Sequence, residues 1–422
     1  MLEIKVFMEN PDVIFEDLKR RNASDKIAKD VVKLDKKWRK FIEEGNTLRA
    51  LRNSISKDIG ELKKNGKNAD SVLKKMSGIK DKIIQNEKDT KDMLKKRDRA
   101  RMRVPNILEK KVPLGDGEEG NKEISLHGPK PKKSESKPHQ EIIENINGAD
   151  LKRASKIAGR RFYFLTGDLA RLEMALINYA VDILYQKKYT LAIPPFFMNK
   201  DAYEGVVDLN DFEDVMYKIE DQDFYLIATS EHPLTARFKD EILEIKNEPL
   251  RYAGVSTNFR KEVGAHGLSD RGIWRVHQFA KVEQIIICKP DDSKEMHNEL
   301  LNNAIEIFEG LEIPFRVVDI CTGDIGTVAA RKFDLEAWMP ASQQWKEIVS
   351  ASNCTSYQSV RLNMRYRTPE GTNYPHTLNA TAIATTRALA AILENNQKED
   401  GSIVIPKILR KWMANQDIIK AQ

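Results

Sequence analysis

The sequence predicts an α+β protein. An N-terminal antiparallel coiled-coil arm of α-helices is followed by a larger domain with an antiparallel β-sheet flanked by helices. Three observations carry that expectation. Heptad spacing of apolar residues runs through the first hundred positions. Short β-rich runs dominate the second half, with one regular long helix among them. A Pro-, Gly- and charge-rich linker separates the two, which sets the domains at 1–110 and 111–422.

The heptad begins at Val31. One set of seam positions is Val31, Trp38, Gly45, Arg52 and Ile59, and the other is Leu34, Phe41, Leu48, Ile55 and Leu62. Steps of three and four place both on one helix face. A second series runs Val72, Met76, Ile79, Ile83, Asn86, Thr90, Met93, and the turn-rich NGKNAD (65–70) lies between the two. Two long helices joined by so short a turn fold back on each other. At about 35 residues each, an arm of ~50 Å results. Lys63, Lys64, Lys67, Lys74 and Lys75 crowd its tip. Any one of them keeps a helix soluble; together they suit an RNA backbone.

Residues 104–139 read as linker. After a helix at 170–188, strands are expected at 223–229, 281–288, 315–320 and 333–339, and a helix at 293–311. The alanine-rich stretch 381–395 is expected to be a buried helix with Arg387 in its interior.

Lys and Arg total 70 against 64 Asp and Glu among 422 residues, a net charge of +6. That mild excess fits a polyanionic partner, but on net charge alone a solvated surface of mixed charge is the favoured reading. No apolar run approaches the ~18 residues of a membrane span, and MLEIKVFMEN has no apolar signal core. Cys288, Cys321 and Cys354 form neither a disulfide framework nor a zinc pattern, so a reduced cytoplasm is expected.

The chemistry concentrates in two segments. No P-loop or GxGxxG occurs, so a bound nucleotide must be held by side chains. In NFRKEVGAHGLSDRGIWRVHQFAKVEQ (258–284), Arg260 and Arg275 can face one site from opposite strands of a hairpin whose Gly-rich turn carries Arg271. Arginine suits bidentate phosphate contact. Phe279 offers a flat face to a base, and Glu262 and Glu283 offer acceptors, one of which suits an amine. In HTLNATAIATTRALAAILEN (376–395), the charge of Arg387 is costly among apolar neighbours unless paired or aimed at an anion.

These segments resemble motifs 2 (about 256–284) and 3 (about 376–395) of class II aminoacyl-tRNA synthetases, and more narrowly the seryl enzymes. The resemblance covers essentially the whole chain. FMENPDVIFEDLKRRN (7–22) is similar to that family's N-terminal strap, and the hairpin to its tRNA-binding arm. Residues 170–196 resemble motif 1, with Pro195 at the dimer-interface proline, and LIATSEHPLT (226–235) resembles the serine-binding TxE loop. The resemblance implies a cytoplasmic, homodimeric serine–tRNA ligase using ATP, L-serine and tRNA(Ser). Whether tRNA(Sec) is charged too stays open.

Residue by residue, the resemblance implies that Arg260 grips the α-phosphate. Lys261 and Glu262 line the ATP site, and Arg275 reaches the outer phosphates. Val276 meets the adenine through its backbone, between Phe279 and Arg387. Glu347 and Ser350, in KEIVSASNC with Ile348 and Val349, hold a Mg²⁺ bound to the phosphates. Thr229, Ser230, Glu231 and Glu283 form the serine pocket, closed by Asn379 and Thr381. Arg260, Glu283 and Arg387 are the catalytic candidates. No zinc is expected. His232, ATTR (384–387) and SYQSVR around Tyr357 depart from the common bacterial pattern toward an archaeal look and leave the contacts of Arg361 open.

Three rival readings are weaker. A scaffolding coiled-coil protein has no use for Arg260, Glu283, Glu347 and Arg387 together. A carrier-protein ligase lacks the arm. A threonyl, prolyl or histidyl enzyme places a domain after motif 3, where only about 27 residues follow Asn395.

Overall fold

A computed structural model describes residues 1–132, 136–207, 212–245, 248–262 and 272–422. Arg271 lies outside them. The chain divides into two compact units, Leu2–Pro105 and Asn106–Gln422.

The first unit is dominated by α1 (Lys26–Lys64) and α2 (Asp70–Met102), packed against each other. The heptad explains them, because every seam position of both helices is buried or half-buried while most residues between them are exposed. Gly45 is needed where the seam tightens. A Cβ there would lie 2.5 Å from the side-chain oxygen of Asn86, whose amide donates to the Phe41 carbonyl at 3.0 Å. Asp35 is a surprise of the packing, being fully buried beside the seam. Its two oxygens accept from Arg97 Nη1 at 2.9 Å and Arg39 Nε at 2.7 Å. The Arg97 guanidinium also lies over the Trp38 ring, 4.6 Å from its centre.

The second unit is built on an eight-stranded sheet. Its strands and flanking helices, in chain order, are β1 (Lys122–His127), α3 (Gly167–Gln186), β2 (Thr190–Ala192), α4 (Glu231–Ala236), β3 (Leu250–Phe259), β4 (Gln278–Cys288), α5 (Ser293–Gly310), β5 (Phe315–Asp319), β6 (Arg331–Met339), β7 (Gln344–Asn353), α6 (Tyr357–Arg361), β8 (His376–Ala384) and α7 (Thr385–Asn396). The sheet order is β1-β5-β6-β7-β8-β4-β3-β2. Every pair is antiparallel except β2 with β3. Apolar residues of α3, α5 and α7 form one core with Val282, Ile286, Leu335 and Val349 of the sheet.

Three expectations change. The linker holds β1, which pairs with β5 at the sheet edge. The strand expected at 223–229 is confined to Phe224–Leu226 and belongs to a separate two-stranded sheet. Residues 381–384 end β8 rather than open a helix, so Arg387 stands in the first turn of α7, not its interior. Both faces of β8 are buried, and an apolar strand running into an apolar helix has no break in its pattern.

Two bulges change which side chains share a face of the sheet. On β7, Glu347 pairs with Glu336 and Val349 with Leu335, leaving Ile348 as an extra residue. On β8, Thr381 pairs with Glu283 and Ile383 with Val282, leaving Ala382 extra. In a regular strand, residues three apart face opposite sides. One extra residue brings them to the same side. Glu347 and Ser350, and likewise Thr381 and Ala384, accordingly line one cavity.

Candidate active site

That cavity, roughly 470 Å³, opens over one face of the sheet. Strand alternation supplies Phe279, Lys281 and Glu283 from β4 and Asn379 and Thr381 from β8; β6 adds Lys332, β7 adds Glu347 and Ser350, and α7 adds Arg387. Thr229 and Glu231 enter from the start of α4. Gly254 on β3 lets that helix approach: a Cβ there would lie 2.5 Å from Ser230 Oγ, which donates to the Gly254 carbonyl at 3.2 Å.

At one end of the cavity two carboxylates converge. Thr229 Oγ1 donates to Glu283 Oε2 at 3.1 Å, and Lys281 forms an ion pair with the same oxygen. Burial, reinforced by the charge of Glu283, pushes the Glu231 carboxyl up to about 7. Burial likewise lowers the Lys281 ammonium, although Glu283 opposes the shift. His232, buried against Tyr203, is pushed down to about 3, first by burial and then by Arg260 and Lys281, so it stays neutral. Asn379 Nδ2 lies 3.7 Å from Cys354 Sγ. A pocket of this kind, acidic and lined by small hydroxyl and amide groups, can hold an ammonium group and a short polar side chain.

Two arginines line the same cavity, Arg260 near enough to act on Glu231 and Glu347 alike. Arg260 donates from Nε to the Ala228 carbonyl at 3.3 Å and lies over the Phe279 ring, 5.4 Å from its centre. Arg387 Nη1 pairs with Glu347 Oε1 at 3.1 Å and lies 5.8 Å from the centre of the Trp274 ring. A cation in the first turn of a helix opposes the helix dipole, and Glu347 compensates. Enclosure alone would raise the Glu347 carboxyl, but Arg387, Lys332 and Arg260 outweigh it and hold it below its usual value. Asp334, opposite Ser350 and bonded to it, is pushed up to about 7 by burial. Its Oδ1 has no hydrogen-bond partner among the described residues. Glu347, Ser350 and this unsatisfied oxygen are hard donors that fit Mg²⁺. Among the described residues no group of three or more His, Cys, Asp or Glu side chains is placed to hold a metal by itself.

Of the expected site residues, Thr229, Glu231, Arg260, Glu262, Val276, Phe279, Glu283, Glu347, Ile348, Ser350, Asn379, Thr381 and Arg387 line this cavity. Ser230, Lys261, Arg275 and Val349 do not. Ser230 is turned toward Gly254, and Val349 is packed in the core. Arg275 is largely exposed and sits 3.7 Å from Glu262. Arg361 donates to the Val207 carbonyl and stacks on Tyr357. Sequence reasoning passed over Trp274, Lys281, Lys332 and Asp334. For Lys281 a signal existed, two residues before Glu283 and two after Phe279 on one strand face. Asp334 becomes visible only through its cross-strand partner.

A family model for the seryl-tRNA synthetase N-terminal domain matches residues 1–108, and one for the tRNA synthetase class II core domain (G, H, P, S and T) matches 216–396. The serine–tRNA ligase of Methanospirillum hungatei is 51% identical over 425 residues, 99% of this chain and 100% of that protein. The chain belongs to the seryl-tRNA synthetase family. Two solved seryl-tRNA synthetases share its fold from end to end. That of Pyrococcus horikoshii, complexed with ATP, is 43% identical with a TM-score of 0.93, each chain covered in full. The cytoplasmic enzyme of Naegleria fowleri, in complex with AMP, is 36% identical with a TM-score of 0.88, covering 100% of this chain and 99% of that one. Family membership makes the cavity the candidate active site of a class II ligase.

Proposed function

We propose that this chain activates L-serine with ATP and transfers it to the 3′ end of tRNA(Ser). The observation that carries the reading is a single cavity lined both by the paired carboxylates Glu231 and Glu283 and by the arginines Arg260 and Arg387. The full-length likeness to a seryl-tRNA synthetase holding ATP adds to it.

Glu231 and Glu283 hold the serine ammonium group, and Thr229, Asn379 and Thr381 bond its hydroxyl. Arg260 grips the α-phosphate. The adenine lies between Phe279 and Arg387, with Val276 beside it; Glu262, with Lys261 next to it, lines the ATP site, and Arg275 reaches the outer phosphates. Glu347 and Ser350, with Asp334 bonded to Ser350, would hold Mg²⁺, which would supply positive charge to the phosphates. The serine carboxylate attacks the α-phosphorus in line, and the P–O bond to pyrophosphate breaks. A hydroxyl of the terminal tRNA adenosine then attacks the acyl carbon, releasing AMP. No covalent enzyme intermediate is needed, since Arg260 and Arg387 act by positioning and by stabilising charge. The chain acts as a cytoplasmic homodimer. Exposed Met174, Tyr185, Leu191 and Ile193 in and after α3 favour an interface there, and no described helix is long and apolar enough to cross a membrane.

The test is ATP–pyrophosphate exchange with each of the twenty amino acids. Serine alone should support fast exchange. Exchange that is faster with another amino acid, or absent with all, overturns the reading.

A further inference from the structure

Helix α6 is short, lies outside the sheet and carries no charge into the cavity, yet it is firmly held. Ser359 Oγ donates to the Pro375 carbonyl at 2.6 Å, and Arg361 holds the Val207 carbonyl. On the same helix Gln358 is 1% exposed. Its Nε2 donates to Glu231 Oε1 at 2.8 Å and to the Val206 carbonyl at 3.2 Å, and its Oε1 accepts from Thr377 Oγ1 at 2.6 Å.

The orientation of this amide is decided by chemistry. An ionised carboxylate and a backbone carbonyl can only accept, so the NH₂ group must face them. A flipped amide would set oxygen against oxygen on both. The carbonyl end therefore faces Thr377, which must donate. Thr377 is on β8, two and four residues before Asn379 and Thr381, so one strand face holds the amide and lines the cavity.

We propose that Gln358 is a positioning residue for the substrate amine: oriented by Thr377, it aims the Glu231 carboxylate into the amino-acid pocket. This rests on the reading of Glu231 as a partner of the serine ammonium group. The groups facing Glu231 are Glu283 and Lys281 from β4, Arg260 following β3, Cys354 following β7 and Tyr203 from the helix Lys200–Glu204, with neutral His232 beside it on α4. The amide bond favours the ionised form, opposing burial and Glu283. Without it, Glu231 loses both a direction and part of its charge.

The experiment uses the full chain with Gln358→Met, Thr377→Val and, as reference, Glu231→Gln. Pyrophosphate exchange gives KM for serine and for ATP across pH, beside a melting curve. A lost hydrogen bond to a charged group predicts a serine KM raised by about tenfold or more in Gln358→Met. ATP KM should change less than about twofold, an interaction worth under ~0.5 kcal/mol. The pH midpoint of kcat/KM for serine should move up. Thr377→Val should move serine KM the same way by less, and it carries the test alone if Gln358→Met does not fold. An unchanged serine KM in a folded variant, or equal rises in both KM values, overturns the proposal if Glu231→Gln impairs serine use. If Glu231→Gln leaves serine KM unchanged, the reading of Glu231 fails first and the proposal falls with it.

Discussion

The helical hairpin and the sheet domain both bury charge, and they settle it differently. In the hairpin, Asp35 has both oxygens taken by arginines, and Arg97 also bonds Asp98 and covers Trp38. Beside the cavity, Asp334 has an oxygen with no partner among the described residues; within it, Glu231 is crowded by Glu283, and Lys281, though paired with Glu283, is held below its normal range. A charge closed on all sides fixes a register. One left short of partners is set to meet something from outside. Four experiments test this contrast.

Deleting residues 28–103 should have the largest effect. The cavity residues lie within Val206–Arg387, inside one compact unit. Serine-dependent exchange should persist while tRNA charging is lost. Normal charging by a folded truncated protein would remove the hairpin's role in tRNA binding. In the full chain, tRNA affinity should fall as salt rises.

Next comes Asp35→Ala, which leaves Arg97 Nη1 buried without its acceptor while Nε and Nη2 keep Asp98. Breaking a buried pair on one side costs up to ~3–5 kcal/mol, less where Asp98 still holds Arg97, so hydrogen exchange in α1 and α2 should accelerate while pyrophosphate exchange stays normal. Replacing both members by Asp35→Leu with Arg97→Met should restore much of the protection. A drop in pyrophosphate exchange rate would mean that the charge serves more than the hairpin.

Arg387→Ala should act the other way round. A cation–π contact contributes roughly 0.5–2 kcal/mol, and the charge lost near the phosphates adds to it. At least a tenfold fall in exchange is expected, about 1.4 kcal/mol. The melting temperature should shift little, since alanine suits a helix. Early melting with normal turnover per active site would make Arg387 a structural anchor through Glu347.

The smallest effect is on pH. Folding raises the Glu231 carboxyl from 4.5 to about 7. The fold thus favours the protonated acid, so stability from this group is full below pH 4.5 and is lost as pH rises through about 7. Binding an ammonium group needs the ionised form. From pH 5 to 8, serine KM should therefore fall while the melting temperature of the unliganded enzyme slips slightly. Movement of KM and stability in the opposite sense, with serine KM rising as the enzyme gains stability, would take Glu231 out of the amine site.

Much of this was legible because strong periodicity survives folding. The two hairpin series, the helix 293–311 and the strands at 281–288, 315–320 and 333–339 all left regular traces. Arg260, just past the end of β3, could be found by residue type, whereas Glu347, inside β7, was found through the family resemblance. Charges satisfied across a fold could not. Asp35 looks like any surface acid until α2 brings Arg97, 62 residues away, against it. Gln358 becomes meaningful only when its partners, 127 and 152 residues distant, are known. The strand end at 381–384 was hidden by its own apolar neighbours.

The unpaired residue at position 348 has a consequence for how this site tolerates change. Its backbone supplies one step of length, and that step keeps Glu347 and Ser350 facing the same way. A substitution of Ile348 by valine or leucine preserves the step. A one-residue deletion removes it and turns everything on one side of the gap over, as a missing tooth throws a gear out of phase. The neighbourhood of Glu347 should thus accept many spellings of its sequence but very few changes in its length.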